Sequence, residues 1–332
     1  MSASTARTFL VTGAAGFIGS TTAIRLLERG DHVVGLDNIN DYYDQRRKRT
    51  NIEEVRHAAE AAGRGQFTFV EGDIRNRPLV ASLFEQRAFS GVAHLAAMAG
   101  VRSSVEDPWL YYECNLTGTL NLLDATTRFN NPNFVLASTS SAYGNTRTIP
   151  FIETDSADRP LAPYPASKRA AELLGHSYHH IQGVDFTALR FFTVYGPRGR
   201  PDMMAYKIFE AIRTGVPMPL FNNGNMHRDW TFVGDIVSGV VAALDKRLGY
   251  EVINIGRGEP ILVSDFIKAL EALAGKQAPF KVEPMMKADV DFTFANIDKA
   301  KSLLGYQPQV STSEGVRQFY DWYKEKVGDP NG

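Results

Sequence analysis

Tyr164 and Lys168 lie four residues apart in Tyr164-Pro165-Ala166-Ser167-Lys168, where a stretch of helical apolar spacing begins. Positions i and i+4 share one face of a helix. A phenol with its ordinary pKa near 10 is a poor base. An ammonium beside it favours the phenolate, so the pair suits general base catalysis near neutral pH. A second reactive group is the hydroxyl run Ser138-Thr139-Ser140-Ser141, at the end of the apolar stretch Asn133 to Ala137. Hydroxyls there both donate to and accept from a reacting hydroxyl on a ligand.

Gly13-Ala14-Ala15-Gly16-Phe17-Ile18-Gly19 follows the apolar run Thr8 to Val11 and opens a helical stretch, Phe17 to Glu28. Glycines let a backbone turn tightly against a pyrophosphate, and the helix start presents free N–H groups to it. Asp37 closes the next apolar run, His32 to Leu36. A carboxylate there accepts hydrogen bonds from a ribose and repels a 2′-phosphate, so NAD is expected rather than NADP.

These residues need a scaffold, and the chain supplies an alternation. Strands are expected at 8–11, 32–36, 67–71, 92–95 and 133–137, with helices at 17–28, 45–61, 79–86 and 108–129 between and after them. That rhythm implies parallel βαβ units with right-handed crossovers. A helix over 164–182 and a strand over 186–190 follow. Pro and Gly then become frequent, and helices are expected at 203–213, 235–245, 264–273 and 313–326. The fold class is therefore α/β, a Rossmann-type doubly wound parallel sheet with a smaller mixed α/β domain. The division is 1–190 for the dinucleotide and 191–332 for a second ligand, with no linker to mark the boundary, so the chain is free to cross it again.

With 36 Lys plus Arg against 37 Asp plus Glu, the chain lacks the basic excess of a nucleic-acid binder. No apolar run reaches the roughly 18 residues of a membrane span, and the start is too short and polar for a signal peptide. The single cysteine, Cys114, excludes a disulfide framework and a Cys-based zinc site, which fits a reducing cytoplasm. His176 and His180 have i, i+4 spacing without further ligands, so no metal is expected. Arg46-Arg47-Lys48-Arg49 is expected to be a solvated helix face.

Taken together, the Gly-x-x-Gly-x-x-Gly turn, Gly72-Asp73-Ile74, His94-Leu95-Ala96-Ala97, Asn115 and the Tyr164/Lys168 pair resemble the extended short-chain dehydrogenase/reductase family. The resemblance implies that Asp73 and Ile74 flank the adenine and that Leu95, Ala96 and Ala97 line the pyrophosphate and ribose. It adds Asn38, Asn115 and Ser138 to the cofactor set and makes Thr139 the third catalytic partner. It also implies a homodimer formed through the helices near 108–129 and 164–182.

Within that family the residues after Thr139 discriminate. The 4,6-dehydratases have Asp-Glu there, and UDP-glucuronate decarboxylases a Glu; this chain has Ser140 and Ser141. Leu36 to Asp44, Ala99 to Arg102, Arg190 to Pro197, Gly199 to Met203 and Phe221 to Asp229 are similar to UDP-glucuronate 4-epimerases. Met98, Pro165, Gly234 and Asp291 depart from that pattern. The resemblance implies C4 epimerisation of a UDP-sugar through a 4-keto intermediate. Ser140, Ser141 and Thr193 would hold the uronate carboxylate, Arg200 the carboxylate or diphosphate, and Arg228 the diphosphate. Phe221 and Asn222 would line the base, Asp289 would bond a ribose hydroxyl, and Arg102 would assist. Other nucleotide-sugar epimerases (on UDP-galactose or a CDP- or dTDP-sugar), a decarboxylase, and a dinucleotide-sensing protein without catalysis remain the alternatives.

Overall fold

The computed structural model describes residues 6–63, 65–285 and 290–330. Its centre is a seven-stranded sheet built from β1 (Thr8–Thr12), β2 (His32–Asp37), β3 (Phe67–Glu71), β4 (Gly91–His94), β5 (Asn133–Thr139), β6 (Phe186–Phe191) and a late strand, Tyr250–Ile255. The order is late strand, β6, β5, β4, β1, β2, β3, and every pairing is parallel. Strands β4 and β6 are buried along their whole length. Helices cover both faces of the sheet, so even Thr187 and Arg190 on β6 and His94 on β4 are buried.

On one face lie α1 (Phe17–Arg29) and α2 (Gln45–Ala62), and on the other α3 (Arg77–Gln86). The expected long helix near 108–129 is present and carries a π-helical turn within it. A short turn of helix, α4 (Ser103–Glu106), precedes α5 (Pro108–Tyr112), a π-helical turn (Glu113–Thr117) and α6 (Gly118–Arg128). α7 (Pro163–Gln182) carries Tyr164 and Lys168. Pro163 starts it at a position that needs no N–H, and Gly183, at φ 68°, ends it.

β1 and β4 are neighbours, and the chain leaves them in opposite directions. This is the topological switch point at which ligands bind, outside the carboxyl ends of the strands. The Gly13 turn follows β1 and Leu95 follows β4, so both open onto that edge. The turn is tight. A Cβ on Gly19 would lie 1.9 Å from the Gly13 carbonyl oxygen, so Gly19→Ala forces the turn open. A loss of roughly 1–3 kcal/mol, with loss of dinucleotide binding, is the expected outcome by denaturant melts and cofactor titration.

After β6 the chain builds a second region. A three-stranded sheet combines β7 (Thr193–Tyr195), β9 (His227–Phe232) and β11 (Pro260–Leu262); β8 (Met218–Phe221) pairs with β12 (Phe280–Glu283). Helices α8 (Met204–Thr214), α10 (Val263–Ala274) and α12 (Thr312–Lys326) pack around them, while α11 (Asp298–Leu304) packs against the late strand of the large sheet. Between β9 and β11 the chain returns to the large sheet. α9 (Val233–Leu244) lies beside α1, and β10 (Tyr250–Ile255) is the strand that pairs with β6. The sequence expectations do not include the short strands of this region. At three to six residues they carry too little alternation to distinguish them from loops.

Candidate active site

One continuous cleft runs along the carboxyl edge of the sheet. Its first end is built on the Gly turn. Gly16 begins α1 without a side-chain cap, so the first N–H groups of the helix have no partner within it. Gly13, Gly16, Phe17, Ile18 and Gly19 line the cleft there, with Leu95, Ala96 and Ala97. Asp37 sits at the end of β2 and is almost wholly buried. Its carboxylate accepts from the backbone N–H groups of Ala15 (3.0 Å) and Ile39 (2.9 Å). Burial pushes its pKa up, and those hydrogen bonds and the Lys48 charge oppose the rise. Asn38 donates to Asp73 at 2.9 Å, and Asn38, Asp73 and Ile74 line the cleft together. Burial would raise the Asp73 carboxyl, but hydrogen bonds from Arg75 and Asn38 outweigh it and hold the pKa at about 2.

The other end holds the reactive groups. Ser138, Thr139, Ser140 and Ser141 follow β5, and Tyr164, Lys168, Thr193 and Arg200 face the same space. Lys168 is only 2% exposed, and its ammonium has no hydrogen-bond partner among the described residues. Burial pushes its pKa down to about 8, against the charges of Cys114 and Glu172. A buried ammonium without partners, in a cleft that also holds a ribose-type carboxylate and a glycine cradle, fits a ligand rich in hydroxyls such as a dinucleotide ribose. The Tyr164 phenol is pushed up by burial, with the Thr139 hydrogen bond and the Arg200 charge opposing.

A buried network supports the walls. Asn115, an expected cofactor contact, is fully buried beside the cleft-lining Met98. Its side chain bonds the Met98 N–H (2.8 Å), the Met98 carbonyl (2.9 Å) and the Ser167 hydroxyl (2.9 Å). It sits in the π-helical turn and thereby fixes the loop after β4 against α7. His94 is fully buried between Thr12 (2.8 Å) and Thr119 (2.9 Å). Thr119 donates to the Asn115 carbonyl, so His94 Nε2 donates to Thr119 and Nδ1 accepts from Thr12. Burial and the Lys168 charge push the His94 pKa far down, which keeps the ring neutral. Glu172, also buried, accepts from Ser138, Arg169 and Arg190 and ties α7 to β5 and β6.

Several expected substrate residues lie outside this cleft. Arg102 stacks on the Phe221 ring at 3.9 Å, joining the loop after β4 to β8. Asn222 donates to the Asn225 carbonyl (3.1 Å), and Arg228 to the His227 carbonyl (2.8 Å). None of these four lines the cleft itself. Asp289 lies outside the described residues. Conversely, Tyr42, Tyr43 and Lys48 line the cleft, and the sequence expectations do not include them. Lys48 corrects the reading of its basic run as a solvated face: it is 5% exposed, while Arg46 and Arg49 face solvent. A signal is present in the sequence, since Lys48 shares a helical face with the buried Asn51, Ile52 and Val55.

A family model described as GDP-mannose 4,6 dehydratase matches residues 10–319. The chain belongs to this family. It is thus an extended short-chain dehydrogenase/reductase. A UDP-glucuronate 4-epimerase of Thermodesulfobacterium geofontis (strain OPF15) is 44% identical over 320 residues, which span 96% of this chain and 97% of that protein. The crystal structure of UDP-glucuronic acid 4-epimerase from Bacillus cereus, in complex with UDP-glucuronic acid and NAD, superposes with a TM-score of 0.87. It is 37% identical, over 96% of this chain and 99% of that one. UDP-glucose 4-epimerase from Thermotoga maritima, with UDP-glucose, gives a TM-score of 0.86 at 30% identity, over 96% and 99% of the two chains.

Proposed function

We propose that the chain is an NAD-dependent epimerase that interconverts UDP-glucuronate and UDP-galacturonate at C4. The observation that carries this reading is the chemistry around Thr139 and Tyr164. The acids that line the cleft are Asp37 and Asp73, both at the other end, whereas Ser140, Ser141, Thr193 and Arg200 surround the reactive pair. Dehydration needs a group to move protons at C5 and C6, and the family description alone would suggest that reaction. Here no carboxylate stands ready for it among the described lining residues. The epimerases of T. geofontis and B. cereus support the same choice.

NAD, when bound, accepts a hydride from C4 and returns it. Asp37 is assigned to its adenosine ribose and the start of α1 to its pyrophosphate. Tyr164 takes the proton of the C4 hydroxyl and later gives it back, with Thr139 bonded to the same oxygen. Lys168 holds the nicotinamide ribose and favours the phenolate. The 4-keto uronate is a β-keto acid and tends to lose carbon dioxide. Ser140, Ser141, Thr193 and Arg200 hold its carboxylate so that the C5–C6 bond stays out of line with the carbonyl π system. Arg102 and Phe221 are assigned to the uracil, and Arg228 to the diphosphate. Residues 1–190 with α9 and β10 form the cofactor unit, and the rest of 191–332 the sugar unit.

The apolar side chains of Trp109, Leu173 and Ile181 are 79%, 52% and 76% exposed on α5 and α7. They support a homodimer across these helices, which light scattering of the purified protein tests: a monomer would remove this part of the proposal. No helix among the described residues is long and apolar enough to cross a membrane; a cytoplasmic location is part of the proposal and rests on the single cysteine. Proton NMR of the protein with UDP-glucuronate and NAD tests the reaction. A UDP-galacturonate anomeric signal without net NADH is expected. UDP-xylose or a 4-keto-pentose would overturn the role given to the hydroxyls, and turnover of UDP-glucose alone would move the substrate to the neutral sugar.

A further inference from the structure

Arg200 is gripped from two sides by groups outside the catalytic set. Its Nε and one Nη donate to Asp202 at 2.9 and 2.8 Å, a bidentate fork. The Tyr42 ring lies 5.8 Å from the centre of the same guanidinium. Tyr42 is itself fixed: its hydroxyl donates to the Ala99 carbonyl at 2.7 Å and stands 3.3 Å from Asp202. Tyr42 belongs to the loop that follows Asp37, whereas Arg200 and Asp202 belong to the segment after β7. The three side chains therefore bridge the cofactor side and the sugar side of one cleft. The fork uses one edge of the guanidinium, which leaves the other Nη available to a ligand.

We propose that Asp202 and Tyr42 are positioning residues that aim Arg200 at the sugar carboxylate and thereby decide whether the 4-keto intermediate is reduced or loses carbon dioxide. The inference rests on the epimerase reading. A planar guanidinium clamped in its plane by Asp202 and faced by Tyr42 has one orientation, and a carboxylate bound to it inherits that orientation. If the clamp is released, the carboxylate turns, and the C5–C6 bond reaches alignment with the C4 carbonyl. That bond then breaks, its electron pair forms the enolate, and C5 takes the proton that Tyr164 removed from the C4 hydroxyl. The products are a UDP-4-keto-pentose, carbon dioxide and one NADH, which no longer has a carbonyl partner of the original sugar.

The test compares wild type, Asp202→Asn, Tyr42→Leu and Glu54→Gln with UDP-glucuronate and NAD. Glu54 pairs with Arg198 across the same two sides without touching Arg200, so Glu54→Gln loosens the bridge but leaves the clamp. NMR reads the ratio of UDP-4-keto-pentose to UDP-galacturonate, and absorbance reads NADH. The ratio is expected to rise roughly tenfold or more in Asp202→Asn and Tyr42→Leu, the size of losing a hydrogen bond to a charged group, and to stay at the wild-type value in Glu54→Gln. Wild-type ratios in both clamp variants, with an epimerising wild type, would overturn this inference alone. An equal rise in Glu54→Gln would also overturn it, because loosening of the bridge would then suffice. A wild type that does not epimerise would instead overturn the reading on which it rests.

Discussion

Tyr164→Phe should lower kcat for UDP-glucuronate epimerisation by roughly 10²–10⁴-fold, the usual contribution of a positioned acid/base group. Only the hydroxyl is removed. The ring keeps its edge contact with Tyr111, at 6.1 Å between centroids, so the fold and the cofactor side of the cleft are expected to persist. Thr139 loses its partner but has a second one, the Ser141 N–H at 3.1 Å. Initial rates, thermal melting and cofactor content together check this. A kcat within tenfold of wild type would remove Tyr164 from the proton path. A large loss of bound NAD with a small loss of kcat would make it a binding residue.

Lys168→Met should do two opposite things. It should reduce turnover severely, because the ammonium is the cation on the Tyr164 helix face. It should also make the ligand-free protein more stable. The Lys168 pKa falls from 10.5 to about 8 on folding. That shift corresponds to an upper limit of about 3 kcal/mol, at 1.36 kcal/mol per pKa unit, as the cost of burying the charge at neutral pH. The sign follows from proton counting. Between about pH 8 and 10.5 the unfolded chain binds the proton and the folded chain does not, so stability of the wild type rises with pH across that window. Below about pH 8 both forms hold the proton and the full cost is present. Methionine has similar length and no charge, so the variant should melt higher near neutral pH, and the difference should shrink as the pH rises through that window. A melting temperature at or below wild type would show that the cleft already compensates the ammonium.

Both predictions involve residues that are legible as a pair in the sequence, and their surroundings are less so. The pair is local. Residues four apart on a helix share a face whatever the rest of the chain does. The Gly turn and Asp37 are nearly as local, since a strand, a turn and a helix suffice to point them at a phosphate and a ribose. Lys48 escapes the sequence reading because a run of like charges hides one member that faces inward, and only the buried Asn51, Ile52 and Val55 on the same face reveal it. Asn115 is expected in the cofactor set, yet its amide is consumed by Met98 and Ser167, partners 17 and 52 residues away. No local pattern records such distant partners.

The sequence by itself determined the α/β alternation, the dinucleotide turn, the Tyr164/Lys168 pair and the absence of an acid after Thr139, because each depends on neighbours within one or two elements. Only the tertiary structure decided that β10 completes the large sheet, that Asn115 and His94 brace the cofactor loop, that Arg102 meets Phe221, and that Tyr42 and Asp202 grip Arg200. The physical reason is that these depend on contacts between distant segments, which form when buried polar groups must find partners as apolar faces close over them.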